Sequence, residues 1–254
     1  MARSENQKPL PWKIEAFREY LTYETLQQAA AVLSIFEGET FEISNPRIVE
    51  MQKILESRTN KSAWVPKRSG SEDINWNLEG DVTRNKGRVL TSMLILYPKD
   101  WSNGKVKLTE FGHALGNGRI TKRQYYDFIL THFKYPHPAW TENWNAWRES
   151  QKELHPFLYI LQALTILYQH SPESAYLTTE EIADYLHPNP DPKKLKNYIN
   201  EILEARKERI ESKTKRSDDI HRKINDILGF LCLTDYCYFF GKKVYLNLLV
   251  LYIL

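Results

Sequence analysis

The sequence predicts a mainly α-helical fold with short β-hairpins, built as two halves of one repeated order, and three observations carry that prediction. Apolar residues recur at helical spacing along most of the chain, as in Leu26, Ala29, Ala30, Leu33 and Phe36, and again in Leu195, Tyr198, Ile199, Ile202, Leu203 and Ile210. Short β-type runs stand only beside turn signals, at Pro98-Lys99-Asp100-Trp101-Ser102-Asn103-Gly104 and at Gly241-Lys242-Lys243. Between the halves lies a junction, Lys107 to Trp140, whose first helical turn is capped by Thr109 and stopped by Gly116 and Gly118.

In order, residues 1–12 are polar and Pro-containing and read as a loose arm that packs late. A first helix spans Thr22 to Phe36 and ends at Glu37-Gly38-Glu39. Asn45-Pro46 caps a second helix, with Ile48, Met51, Ile54 and Leu55 inward. Residues 57–80 read as a long loop. A capped helix from Asp81 to Met93 then turns Val82, Val89 and Met93 one way and Arg84, Gly87, Arg88 and Thr91 the other, with Lys86 on its apolar side. Strands Leu94 to Tyr97 and Lys105 to Leu108 form a hairpin.

The junction continues as a helix with Tyr125, Phe128, Ile129, His132 and Phe133 at helical spacing, closed by Tyr135-Pro136-His137-Pro138. Thr141 to Trp147 reads as a connecting loop stapled by indoles. The second half then opens with an apolar helix, Phe157 to Tyr168. A capped short helix from Leu177 to Leu186 and a long charged helix from Asp191 to Lys213 follow. The next helix, Asp218 to Leu228, turns Ile220, Ile224 and Leu228 inward and leaves Arg222 and Lys223 free outward. Strand runs at Gly229 to Thr234, Tyr236 to Phe240 and Val244 to Leu248 end the chain. The expected domains are residues 1–118, a connector 119–156, and residues 157–254.

Helix, helix, basic helix, hairpin is the order of a winged helix, and its repetition predicts tandem winged-helix subdomains. In that module the third helix can enter the DNA major groove while the hairpin touches the backbone. The same order also serves modules that bind only protein, so a winged-helix interaction scaffold stands as an alternative.

With 254 residues and 42% hydrophobic content, the chain can form one large or two ordinary cores. It holds no apolar run long enough to span a membrane, and MARSENQKPLPWK lacks a signal-peptide core, so a cytoplasmic protein is expected. The net charge is only +3, yet the cations cluster while the acids spread, as suits a phosphate backbone. Cys232 and Cys237 lack partners at zinc-ligand spacing and read as buried thiols. No phosphate-binding G-x-x-x-x-G-K occurs, and His113, His132 and His137 lack the order of a nuclease metal site.

The succession LTEFGHAL, KYPHPAW, HPFLYILQAL, a long charged helix and LGFLCLTDYCYFFGKKVYLN resembles the DNA-recognition region of AlwI-type (type IIS) restriction endonucleases and related nicking endonucleases, from about Asp81 to Asn247. The resemblance implies winged-helix subdomains that read a short asymmetric site in double-stranded DNA, and a separate magnesium-dependent nuclease domain. It makes Thr83-Arg84-Asn85-Lys86-Gly87-Arg88 a recognition helix and Gly241-Lys242-Lys243 a wing. No sequence remains after Leu254 for the nuclease domain, so this chain is expected to bind without cutting and to hold no cofactor; its end on a strand suggests truncation, with a nuclease domain or subunit as partner. Base reading is expected from Thr83, Arg84, Asn85 and Arg88 and from the helix bearing Asp219, Arg222 and Lys223, since Arg matches guanine and Asn adenine. Phosphate anchoring is expected from Lys122, Arg123, Lys215, Arg216, Lys242 and Lys243. A further alternative is a complete nuclease, because Pro190-Asp191 and Glu211-Ser212-Lys213 formally spell a PD…ExK motif.

Overall fold

The computed structural model describes residues 10–14, 20–42, 44–64, 85–213 and 218–248. The chain divides into two compact units, Glu15–Ile129 and a discontinuous one made of Met1–Ile14 with Leu130–Leu254. The division falls inside a helix of the junction, rather than at the 118/119 and 156/157 boundaries read from sequence.

In the first unit, α1 (Tyr23–Ile35) starts at Thr22, whose side chain accepts from the Thr25 amide, and buries Leu26, Ala29, Ala30 and Leu33. α2 (Pro46–Thr59) starts at Asn45, which accepts from the Arg47 amide at 3.0 Å. After α3 (Asn85–Ser92), Leu94 takes a positive φ of 58° and turns the chain into an extended run. The returning segment is bonded on both sides: Lys105 bridges Thr40, and Leu108 bridges Leu96. The expected strands are therefore extended and antiparallel, but they form isolated bridges only. Pro98, which has no N–H to donate, follows the Tyr97 amide's bond to Lys107 O at 3.0 Å. Val106 and Leu108 point inward while Lys105 and Lys107 are exposed.

α4 (Glu110–Gly116) is capped by Thr109, and two glycines set its depth. A Cβ on Gly112 would lie 2.3 Å from Ile95 O, and one on Gly116 would lie 2.9 Å from the Ala30 carbonyl carbon in α1. Backbone meets backbone at both places, which no larger residue permits. α5 (Lys122–His132) then buries Tyr125, Tyr126 and Ile129 in this unit.

The second unit corrects several expectations. The arm is not loose over Leu10–Ile14. Trp12 is fully buried, stacks on His187 at 4.9 Å, donates its indole N–H to His187 O at 3.1 Å and accepts from His187 Nε2 at 3.0 Å through its own carbonyl. Tyr135 and Trp147 bind the arm's backbone at Lys13 and Pro11. The Trp-rich segment is a helix, α6 (Thr141–Ser150), because Trp140, Trp144 and Trp147 recur at helical spacing with no breaker between them.

α7 (Pro156–His170) is the central apolar helix, and β1 (Tyr176–Thr178) follows it. Thr178 and Glu181 form a reciprocal capping box for α8 (Thr179–Glu181), which runs on as a π-helical turn, Ile182–Leu186. The charged helix is shorter than expected. Asp191 caps a 3-10 turn, Pro192–Lys194, and α9 is Leu195–Glu208, stopped by Arg209 at φ 55°. Ile210 therefore leaves the seam and is 54% exposed.

α10 (Asp219–Leu233) is longer than expected and absorbs the Gly229–Thr234 run read as a strand. Short apolar runs do not distinguish a buried helix from a strand, and no turn signal interrupts this one before Thr234-Asp235. Cys232 thus lies half-buried on a helix and Cys237 buried on a strand, and the two are not joined in a disulfide. β2 (Cys237–Phe240) and β3 (Lys243–Leu246) form a hairpin, and β1 pairs with the other side of β3, giving the antiparallel order β1-β3-β2. Among the described residues, no helix is long and apolar enough to cross a membrane.

One ion pair ties these elements together. Arg206 of α9 holds Glu181 through Nε at 2.6 Å and Nη2 at 2.9 Å. The same guanidinium donates to Ser174 O at 2.9 Å and Tyr176 O at 2.6 Å, and lies over the Tyr176 ring at 3.9 Å. Both side chains are nearly buried, at 17% and 16% exposure.

Three outcomes are expected from this packing. Arg206→Ala should lower stability by about 3–5 kcal/mol in urea unfolding, since it strands the Glu181 charge, and Arg206→Lys should recover only part because an ammonium cannot reproduce the fork. Gly112→Ala should cost about 1–3 kcal/mol by overpacking against Ile95. Burial pushes the His187 imidazole down to about 4, despite its bond to Trp12 O, and pushes His137 down to about 3. The unfolded chain takes up these protons first as pH falls below about 6.5, so stability is full above that pH and declines toward pH 4. His187 contributes at most about 3 kcal/mol to this loss, and His187→Gln should flatten the stability profile between pH 7 and pH 4.5.

Candidate nucleic-acid interface

α10 is amphipathic, so the residues it leaves outside fix what it can offer. Ile224, Ile227, Leu228, Phe230 and Leu231 face the core, while Asp219, Arg222 and Asn225 are exposed. Arg222, 66% exposed, reaches Asp219 at 2.7 Å and Asp226 at 3.7 Å. Lys223 also contacts Asp219. The expectation that Arg222 and Lys223 stand free outward is corrected: Arg222 points outward and Lys223 is half-buried, and both are held by carboxylates three and four residues away along the helix. Lys223 and then Arg222, through their hydrogen bonds, hold the Asp219 carboxyl down to about 2. Exposed pairs of this kind are weak, so a stronger anion can take the guanidinium from them.

Beside this stripe a cleft of about 390 Å³ is lined by Thr179, Glu180, His221, Asn225, Phe239, Gly241 and Lys242. A polar chain crosses its floor. Thr179 Oγ1 donates to Asn225 Oδ1 at 2.7 Å, Asn225 Nδ2 donates to His221 Nδ1 at 3.0 Å, and His221 Nε2 lies 3.4 Å from Glu180 Oε1. This order puts the imidazole proton on Nε2 and fixes α10 against the start of α8. Lys242 projects from the β2–β3 turn, and Lys243 Nζ sits 3.8 Å from the centre of the Tyr176 ring.

The expected site residues divide accordingly. Asp219, Arg222, Lys223 and Lys242 gather around the α10 stripe and its cleft, and Lys243 lies across the sheet. Lys122 and Arg123 stand together in the first turn of α5, bound to Glu24 at 3.4 Å and Asp127 at 2.9 Å. Cations there add to the positive end of the helix dipole instead of opposing it. Arg88 lies midway along α3, half-buried. Asn85 and Lys86 begin α3, with side chains outside the described residues, as Thr83, Arg84, Lys215 and Arg216 are entirely.

Sequence reasoning passed over Asn225, although its place three residues after Arg222 on a capped helix was the available signal. Nothing in the sequence signalled Thr179 and His221, because their roles depend on α8 and α10 meeting. The PD…ExK reading does not assemble: Asp191 is a cap at one end of α9, Glu211 is exposed beyond the other, and α9 alone spans about 21 Å. Lys213 lies with Glu211, its amide bonded to Asp184. Among the described residues, no group of three or more His, Cys, Asp or Glu is placed to hold a metal ion.

A comparison with curated proteins finds no match. Among solved structures, the chain is similar to one described as "Crystal structure of pyrene- and phenanthrene-modified DNA in complex with the BpuJ1 endonuclease binding domain", with a TM-score of 0.67 over 96% of this chain and 84% of that one. At 14% identity that likeness shows a shared fold. The family model "Restriction endonuclease BpuJI - N terminal" matches residues 90–249, more than half of the chain. The chain therefore belongs to the family of N-terminal regions typified by the restriction endonuclease BpuJI.

Proposed function

We propose that this chain is a sequence-specific double-stranded DNA-binding region, the recognition part of a restriction or nicking endonuclease. The observation that carries the proposal is the exposed stripe of α10. It presents Arg222 and Asn225, the side chains suited to guanine and adenine edges, one helical turn apart and beside the basic β2–β3 turn. Family membership and the likeness to a DNA-bound fold support it.

Each unit is read as a winged helix. In the second unit β1, after the first helix, pairs with the second arm of the later hairpin, and in the first unit isolated bridges at Thr40–Lys105 and Leu96–Leu108 follow the same order. α3 and α10 precede the hairpins and are the helices assigned to the major groove. Thr83, Arg84, Asn85 and Arg88 read bases from the first unit, and Arg222, with Lys223 and Asp219 positioning it, reads from the second. Lys122, Arg123, Lys215, Arg216, Lys242 and Lys243 anchor phosphates, and Lys86 belongs to the DNA-binding segment with Arg84 and Arg88. Kinship with AlwI-type enzymes belongs to this reading, as does a short asymmetric site. Cleavage would come from a magnesium-dependent nuclease domain or subunit, as kinship with AlwI-type enzymes implies.

Titration of a randomised duplex pool against salt tests the reading: binding should fall steeply with salt, and its absence would sink the proposal. On a duplex selected from that pool, Arg222→Ala should cost about 1–3 kcal/mol and relax preference at one or two base pairs. Lys242→Ala should weaken all duplexes alike and reduce the salt slope by about one.

A further inference from the structure

The tips of both hairpins carry an exposed aromatic ring among lysines. In the first unit Trp101 is 59% exposed at the turn following Pro98. The turn is rigid. Ser102 is buried, and its hydroxyl lies 2.7 Å from Lys105 O and 3.2 Å from Lys99 O. The Trp101 amide bonds Pro98 O at 2.9 Å, the Gly104 amide bonds Lys99 O at 2.9 Å, and Asn103 and Gly104 take positive φ values of 53° and 71°. In the second unit Phe240 is 74% exposed, opposite Lys243 in the β2–β3 ladder and next to Gly241 at φ 62°. Burying a ring of this size stabilises a fold, a gain that both positions forgo. A turn locked from inside by a buried serine does so without the flexibility that would let the ring fold back.

The surroundings select a partner. Lys99, Lys105 and Lys107 belong to the same hairpin as Trp101, Lys99 Nζ lying 5.8 Å from the centre of the Phe41 ring, and Asp100 is the carboxylate within the turn; Lys242 and Lys243 follow Phe240 at the other tip. Lys107 and Lys243 are steadied over the rings of Tyr97 and Tyr176. Fixed cations around a projecting flat apolar ring complement a polyanion that contains stacked π-faces, which is nucleic acid. We infer that Trp101 and Phe240 are stacking residues that enter the duplex from the two hairpin tips, each resting on or parting a base step while the lysines beside it hold the phosphates. This inference rests on the DNA-binding reading. Each hairpin then does more than anchor the backbone. It also senses how readily a step unstacks, so flexible pyrimidine–purine steps would be favoured at positions that no side chain reads by hydrogen bonds.

The full chain, a duplex selected from a randomised pool, and copies of that duplex with 2-aminopurine at successive positions provide the test. Wild type should raise 2-aminopurine emission at one or two steps. Trp101→Ala and Phe240→Ala should each abolish one of those signals and weaken binding about tenfold with an unchanged salt slope, because neither ring carries charge; Trp101→Phe and Phe240→Trp should retain both properties. Thermal melting of the Ala variants should match wild type, as expected of exposed positions. Ala variants that bind within twofold of wild type and leave every 2-aminopurine signal unaltered would overturn the stacking role and leave the DNA-binding reading standing. A wild-type chain that binds no duplex in a salt-dependent way would overturn that reading and the stacking role with it.

Discussion

The Arg206–Glu181 fork is the interaction on which the second unit depends. One guanidinium satisfies a carboxylate, two backbone carbonyls and an aromatic face, so it fixes at once the end of the loop after α7, the start of β1, the first turn of α8 and the body of α9. Taking both charges out of water is expensive, and the arrangement recovers that cost only because nearly every donor finds a partner. Glu181 has a second bond, accepting from the Thr178 amide at 2.9 Å, so the capping box and the ion pair share one carboxylate. Thr179, which anchors Asn225, is the next residue along. The chain from a buried ion pair to the exposed face of α10 is thus only a few bonds long.

That short chain explains how an exposed helix face can be precise. Asn225 is not a surface amide turning freely; its oxygen and nitrogen are both engaged before any ligand arrives. Arg222 is the opposite case, loosely held by two carboxylates and reorientable at little cost. One rigid and one movable polar group on the same stripe suit a surface that docks first through charge and then demands a particular pattern. The carboxylates beside Arg222 and Lys223 lower the pull of the helix on phosphate in general, which favours contacts that offer more than charge alone.

Much of the fold was legible from the sequence because helix periodicity and caps are local. Thr22, Asn45, Thr109 and the Thr178/Glu181 pair each mark a real helix start, and α1, α2, α7 and both hairpin turns lie where the pattern put them. Local pattern misleads where tertiary burial overrides it. The Gly229–Thr234 run is apolar on every side, which hides its period; the Trp-rich helix resembles a loop because its polar residues outnumber its indoles; the arm looks loose because one buried tryptophan carries it. Of the candidate interface, the residue types on helices and turns were legible. Its organisation was not, since the Thr179–Asn225 and Glu180–His221 contacts join residues more than forty positions apart.

The buried arm has a consequence for how this protein can be taken apart or reassembled. Leu10–Ile14 belong to the unit that resumes at Leu130, so the sequence of one unit is inserted within that of the other. A cut near residue 129 does not separate two self-sufficient pieces: the C-terminal piece lacks the tryptophan that closes it. Exchange of recognition halves between relatives, in nature or by design, must therefore carry two segments together. Variation is freer at the exposed helix faces and hairpin tips, where residues can change without disturbing that interlocked chain path.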